Sequence, residues 1–178
     1  MAKKKIVITG GPSTGKTTII NRLEQIGETC LHEISRAVTL EAQRQGVEQL
    51  FLEDPTLFSQ RLLEGRIKQF SEAEVSTETR VFLDRGIPDV IAYMNYANEK
   101  SPDHFKKACM THRYDYVFLL PPWKDIHITD NERYENFEQA KQIYNHLLST
   151  YTDLGYKCIE VPFGTVEDRT QFILDILL

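Results

Sequence analysis

The chain of 178 residues is 41% hydrophobic and 26% charged, with a net charge of −5. That length and apolar content exclude intrinsic disorder and fit one domain spanning residues 1–178, burying roughly 70% of the surface its unfolded chain exposes. The acidic balance argues against a general nucleic-acid binder, which gathers Lys and Arg on one face, and the longest compact apolar run, Tyr116 to Leu120, is far short of the ~18 residues of a membrane span.

Met1 to Ile8 begins basic and then turns apolar, as a secretory leader does, but the apolar part ends after Ile6, Val7 and Ile8, where a secretory core needs ~7–15 residues. It reads as a first strand. Further continuous apolar runs follow at Thr29 to His32, Val81 to Leu83, Tyr116 to Leu120 and Tyr156 to Val161, the pattern of parallel strands covered on both faces. Helical spacing fills the intervals. Ile19, Ile20, Leu23 and Ile26 make one stripe, closed by Gly27 at a left-handed cap position. Asp54-Pro55 reads as a cap with a first-turn proline, opening a helix that carries Phe58, Leu62, Leu63, Ile67 and Phe70. Val90, Ile91, Met94 and Ala97 form another stripe, Ser101-Pro102 repeats the start signal, and Phe137, Ala140, Tyr144, Leu147, Tyr151 and Leu154 recur at three and four. Thr165-x-x-Asp168 resembles a capping box before a closing helix with Phe172, Ile173 and Ile176. Strands alternating with helices predict an α/β sandwich on a mostly parallel sheet. Cys30, Cys109 and Cys158 are odd in number and widely spaced, as reduced thiols of a cytoplasmic protein would be.

In such a sheet ligands bind beyond the carboxyl ends of the strands, and the residues there carry chemistry. Gly10 to Thr17 reads G-G-P-S-T-G-K-T, which fits the phosphate-binding pattern G-x-x-x-x-G-K-[ST] with a strand before it and an amphipathic helix after it. Its backbone N–H groups and helix dipole would cradle phosphates along Gly11, Pro12, Ser13, Thr14, Gly15, Lys16, Thr17 and Thr18. Lys16 would reach the β- and γ-phosphates of ATP, and the Thr17 hydroxyl would ligate Mg²⁺. Asp84 ends the third run, where a P-loop enzyme holds the metal or its water. Arg85 follows it, not the Glu of water-activating ATPases, and neither N-K-x-D nor D-x-x-G occurs. A small-molecule phosphotransferase fits these features better than a motor or a GTPase.

The second run ends at Glu33, with Arg36 three residues on and one turn into a helix, so that both would share the acceptor crevice with Arg85 and Asp89. Glu33 can accept a hydrogen bond from a substrate hydroxyl or act as base, and Arg36 can hold substrate charge. Arg61 and Arg66 lie on the helix roofing that crevice, most simply as its solvated face. The turn-rich Pro121 to Arg133 reads as a lid, with Arg133 as the cis-acting finger and His127 as a surface histidine.

The P-loop, His32-Glu33-Ile34-Ser35-Arg36, Phe82 to Asp89 and Asp130-x-x-Arg133 together resemble the NadR/Ttd14-type P-loop ATPase domain, a family that includes ribosylnicotinamide kinase domains. The resemblance spans Lys5 to about Leu177 and implies a three-layer, kinase-type fold with strand order 2-3-1-4-5, a helical roof at about 37–75 and a lid at about 121–136. It further implies that Asp84 coordinates Mg²⁺ through water or serves as base, and that Pro162 and Gly164, in the turn after the fifth strand, border adenine. The implied partners are a nucleoside triphosphate and a small hydroxylated acceptor, with neither nucleic acid nor membrane insertion. NadR proteins carry adenylyltransferase and DNA-binding domains as well, for which this chain has no room. The competing expectation is a nucleotide-binding regulatory or trafficking module with no acceptor, as in other members of that family.

Overall fold

The computed structural model describes residues 3–129 and 135–178. Five strands, β1 (Lys4–Gly10), β2 (Thr29–Leu31), β3 (Arg80–Asp84), β4 (Tyr116–Leu120) and β5 (Cys158–Glu160), form one all-parallel sheet in the order β2-β3-β1-β4-β5. The order is the one implied by the resemblance. β2 stops before His32, which is exposed, and β5 is shorter at both ends than the apolar run predicts.

Two cores lie on opposite faces of the sheet. Ile6 and Ile8 of β1 join Phe82, Phe118 and Leu120 in facing α1 (Lys16–Gln25) and α8 (Val166–Ile176), through Ile19, Ile20, Leu23 and Ile173. Val7, Val81, Leu83, Val117 and Leu119 point the other way, toward α4 (Pro55–Val75), α5 (Ile87–Tyr96), α6 (Asp103–Thr111) and α7 (Phe137–Asp153). Period-two alternation with both sets buried is what a strand covered on both faces requires.

Local chemistry sets the helix ends. Asp54 accepts from Leu57 N ahead of Pro55, Asn136 and Gln139 form a reciprocal capping box at α7, and Thr165 accepts from Asp168 N at α8. Ser101 does not act as a cap. Pro102 occupies that position with no side-chain bond, and α6 begins at Asp103. Ile26, the last residue of the first predicted stripe, is exposed because the helix has ended and Gly27 turns the chain at φ 92°. The roof consists of α2 (Ser35–Arg44), α3 (Leu50–Glu53) and α4.

The cysteines are free thiols, and burial pushes Cys30 and Cys109 up to about 12 and Cys158 up to about 11. No helix among the described residues is long and apolar enough to cross a membrane.

Candidate functional site

Register brings the motifs to one sheet edge. Ile8 of β1 pairs with Asp84 of β3, and Gly10 with Leu120 of β4, so the P-loop leaves β1 beside the carboxylate that ends β3. Gly15 stands at φ 82°, a left-handed conformation that favours glycine, and a Cβ there would press on Arg169 Nη1 at 2.7 Å. Thr14 is buried and donates its hydroxyl to the Gly11 carbonyl, while Thr18 donates to that of Gly15. Lys16 Nζ stands 2.8 Å from Asp84 Oδ1 in a buried ion pair. Burial, then the nearby Arg85, hold the Lys16 ammonium below its usual pKa, outweighing Asp84 and Glu33.

A second cluster faces the P-loop across the crevice. Glu33 Oε1 accepts from Ile34 N at 2.8 Å, Ser35 N at 3.0 Å and Arg66 Nη2 at 2.8 Å, and Oε2 pairs with Arg85 Nε. Burial alone would raise the Glu33 carboxyl, but Arg66, Arg85 and Lys16 outweigh it and hold it well below the carboxylate range. Arg66 is only 3% exposed and also donates to the Asp84 carbonyl at 3.2 Å. The solvated-face expectation is therefore corrected for Arg66: this guanidinium turns inward, where it meets the Glu33 carboxylate and a main-chain carbonyl at the end of β3. Arg61 instead donates to Gln45 at 2.8 Å. Arg85, at φ 73°, lies against the Tyr93 ring with its carbon 5.0 Å from the centroid and donates to the Tyr93 hydroxyl at 3.1 Å. The guanidinium is held above its ordinary pKa, because Tyr93, Glu33 and Asp89 together outweigh burial.

One open cavity of about 850 Å³ joins the two clusters. Its donor end is lined by Gly11 to Thr18, with Ile126, Ile128 and Glu135. Its roof end is lined by Phe51, Phe58, Leu62, Val90, Tyr93 and Met94, and Glu33, Arg36, Arg66, Arg85 and Asp89 lie around it. The model of the family described as "AAA domain" matches residues 5–169. The chain belongs to that family. No curated protein matches the sequence.

Among solved structures, the AAA-domain chain is similar to deoxyadenosine kinase from M. mycoides with dCMP and dCDP bound, at 17% identity and TM-score 0.71, covering 97% of this chain and 98% of that one. NadR in complex with NR matches at 21% identity and TM-score 0.73, over 98% of this chain and 50% of NadR, so the chain spans half the length of that protein. Thymidylate kinase from Candida albicans matches at 15% identity and TM-score 0.66, over 99% and 91%. At these identities the likeness establishes the fold, a kinase-type P-loop sandwich.

Within this AAA domain, Glu33, Arg85 and Asp89 line the cavity, Arg36 joins them from an exposed position, and Asp84 lies behind the lining, paired with Lys16. Asp89 is 1% exposed and engaged within the protein. Pro162 and Gly164 do not line the cavity; the Pro162 carbonyl accepts from Arg169 Nε at 3.0 Å, and Arg169 Nη1 donates to the P-loop carbonyl of Thr14 at 2.9 Å. Trp123 stacks on Phe163, with ring centroids 4.9 Å apart, and the Arg169 guanidinium lies 5.4 Å from its ring. Of the lid, Ser13 Oγ donates to Ile128 O at 2.9 Å, and His127 lies half-buried, 3.1 Å from the Glu135 carbonyl. Asp130 and Arg133 fall outside the described residues.

Sequence reading missed Arg169, Tyr93 and Tyr151 as site-shaping groups. A signal existed for both buried arginines. Arg66 and Arg169 each occupy the apolar stripe of their helix, Arg66 between Leu63 and Phe70, and Arg169 before Ile173 and Ile176. A charge on a stripe that must be buried needs a buried partner.

Proposed function

We propose that this protein is an ATP- and Mg²⁺-dependent phosphotransferase whose acceptor is the hydroxyl of a small, flat metabolite of the nucleoside class. The observation that carries the reading is the continuity of the cavity. A phosphate cradle at one end opens, past Glu33 and Arg85, onto an aromatic roof at the other. The nucleotides bound to the similar deoxyadenosine kinase and the NR bound to NadR support the same chemistry.

In this reading the P-loop amides and Lys16 hold the β- and γ-phosphates. Asp84 and the Thr17 hydroxyl fit Mg²⁺: Asp84 Oδ1 is buried and, among the described residues, has the Lys16 ammonium beside it and no directional hydrogen bond. One carboxylate plus one hydroxyl suits an ion that takes its other ligands from phosphate and water. Bound there, the ion would neutralise charge on the β- and γ-oxygens. Lys16, paired with Asp84 here, would be the group that reaches the phosphates.

Glu33 orients the acceptor. Its Oε1 is met by three donors, whereas Arg85 is the one partner of Oε2 among the described residues, which leaves that oxygen a lone pair for a substrate hydroxyl. A carboxylate held this acidic is a weak base, but phosphoryl transfer through a loose transition state makes little demand on base strength. The acceptor oxygen forms its bond to the γ-phosphorus, the bond to the β–γ bridging oxygen breaks, and ADP leaves. The hydroxyl proton passes to Glu33 or to the phosphorylated product. Arg85, and Arg133 if the lid delivers it, would face the charge on the transferred group.

The test is acceptor-stimulated ADP release, measured with MgATP and a panel of nucleosides. Glu33→Gln is expected to lose turnover while MgATP affinity stays within about twofold, and Asp84→Asn to lose metal dependence as well. Unchanged turnover in both variants sinks the assignment. Indifference to every acceptor, with nucleotide-dependent capture of a protein partner, would favour the regulatory-module reading.

A further inference from the structure

Asp89, like Glu33, is held by four partners within the protein. Its Oδ2 accepts from the Tyr151 hydroxyl at 2.6 Å and from Gly86 N at 2.9 Å, and its Oδ1 from the Thr9 hydroxyl at 2.5 Å and from Arg85 Nη1 at 3.4 Å. Both oxygens are occupied before any ligand arrives. Burial, then Asp89 itself, hold the Tyr151 phenol well above its ordinary pKa, so it stays a donor at physiological pH.

The geometry around these groups is tight. A Cβ on Gly86 would lie 2.7 Å from Tyr151 Oη, 3.0 Å from the Tyr114 ring and 3.1 Å from Val7 Cγ2, so the β3–α5 turn is moulded to the hydroxyl. Arg85 precedes that turn in a left-handed conformation that a residue with a side chain adopts only when held. What holds it is Asp89 on one side and Glu33 and Tyr93 on the other.

Tyr151 belongs to α7, and α7 also forms the wall behind the P-loop. A Cβ on Gly11 would lie 3.4 Å from Ile143 Cγ2 and 3.6 Å from the Ala140 carbonyl. Ile143 and Tyr151 are eight positions apart, about 12 Å along the helix axis. One rigid helix thus touches the donor end with its first half and the carboxylate behind Arg85 with its second.

Resting on the phosphotransferase reading for its consequence, though not for its geometry, we propose that Tyr151 and Asp89 are positioning residues. Tyr151 fixes Asp89, Asp89 fixes Arg85, and Arg85 aims the Glu33 carboxylate, so that α7 sets the acceptor side of the site relative to the P-loop. Tyr151 stands outside the cavity lining, and Asp89 at its edge has both oxygens already bonded within the protein.

The test uses the full chain carrying Tyr151→Phe, which keeps the ring in its place and removes only the hydroxyl. The first readout needs no substrate: hydrogen exchange of the Arg85 Nε–H, followed by NMR in the ligand-free protein. It should quicken about tenfold, the equivalent of losing one hydrogen bond to a charged group. The second is kinetic, with deoxyadenosine as the probe acceptor and MgATP as donor. kcat/KM for deoxyadenosine should fall about tenfold, with KM for MgATP within about twofold. Asp89→Asn should act in the same direction. Because Tyr151 acts through Asp89, the double variant should be no worse than Asp89→Asn alone.

A folded Tyr151→Phe protein with unchanged Arg85 exchange overturns the proposal, as do strictly additive effects in the double variant. So does a lowered thermal midpoint with no contrast between the acceptor and MgATP constants, the outcome of a merely structural tyrosine. If the wild-type protein phosphorylates no nucleoside, the phosphotransferase reading fails, and the Arg85 measurement alone decides the positioning chain.

Discussion

The two ends of the cavity are built by different means. The donor end is a contiguous stretch, Gly11 to Thr18, whose working groups are backbone amides and a single ammonium. The acceptor end is assembled from side chains of separate elements: Glu33 after β2, Arg66 from α4, Arg85 after β3 and Asp89 from α5, tied by ion pairs between residues far apart in the chain, Glu33 with Arg66 and with Arg85. A backbone cradle tolerates change outside its own few residues. An ion-pair assembly depends on every element that contributes to it, and substitutions should separate the two ends accordingly.

The largest effect is expected from Lys16→Met. Removing the one ammonium aimed at the transferred group should lower turnover by about 10²–10³. The same change leaves Asp84 buried without its partner, which costs on the order of 3 kcal/mol of stability. Asp84→Asn on that background should recover part of the loss in urea unfolding, because the stranded charge is gone. Equal stability of the single and double variants would mean that the ion pair does not matter to the fold.

Arg66→Met probes the other end. Glu33 keeps Arg85 and its side chain is one-quarter exposed, so the stability cost should be smaller, about 2 kcal/mol. Acceptor-dependent turnover should fall about tenfold or more while MgATP affinity stays within about twofold. An equal loss in both constants would erase the distinction between the two ends.

How far each end could be read from sequence follows the same division. The P-loop is legible because its residues are adjacent, and Asp84 because a carboxylate ending an apolar strand has few other uses. The strands are legible because β1, β3 and β4 are buried on both faces, and continuous apolar runs mark them. The short β2 and β5 at the sheet edges are only partly buried, and both are shorter than the apolar runs that mark them. The acceptor assembly depends on long-range pairing that periodicity does not encode. Arg66 shows what was available: its place on the stripe of Leu63, Phe70 and Ala73 marks it as buried but leaves its partner unnamed. Tyr151 belongs to a predicted apolar stripe for its ring, and nothing local says that its hydroxyl has a carboxylate to meet.

Acid should loosen the acceptor end first. The Glu33 carboxyl is depressed in the folded protein by Arg66, Arg85 and Lys16, so its contribution to stability is present above the unfolded value, about 4.3. It is lost progressively as pH falls below that value toward the depressed one, because the unfolded chain takes up the proton first. The difference in unfolding free energy between the native protein and Glu33→Gln should therefore hold steady from pH 7 to about 5 and shrink toward pH 3. A difference independent of pH would mean that Glu33 titrates normally in the fold.

The smallest effect should belong to the donor rim alone. Trp123 is the single tryptophan, stacked on Phe163 and beside the Arg169 guanidinium, whose Nη1 holds the Thr14 carbonyl inside the P-loop. Filling the P-loop with a non-hydrolysable ATP analogue draws on the loop that Arg169 braces, so Trp123 emission should shift by a modest, saturable amount. A nucleoside added alone reaches the roof end, where Phe51, Phe58 and Tyr93 lie and no tryptophan does, and should leave the emission unchanged. Phe163→Ala removes one half-exposed stacking partner, worth about 1 kcal/mol or less, and should damp the signal while turnover stays within about threefold. Emission that responds to nucleoside alone would mean that the two ends communicate through the rim, and not only through α7.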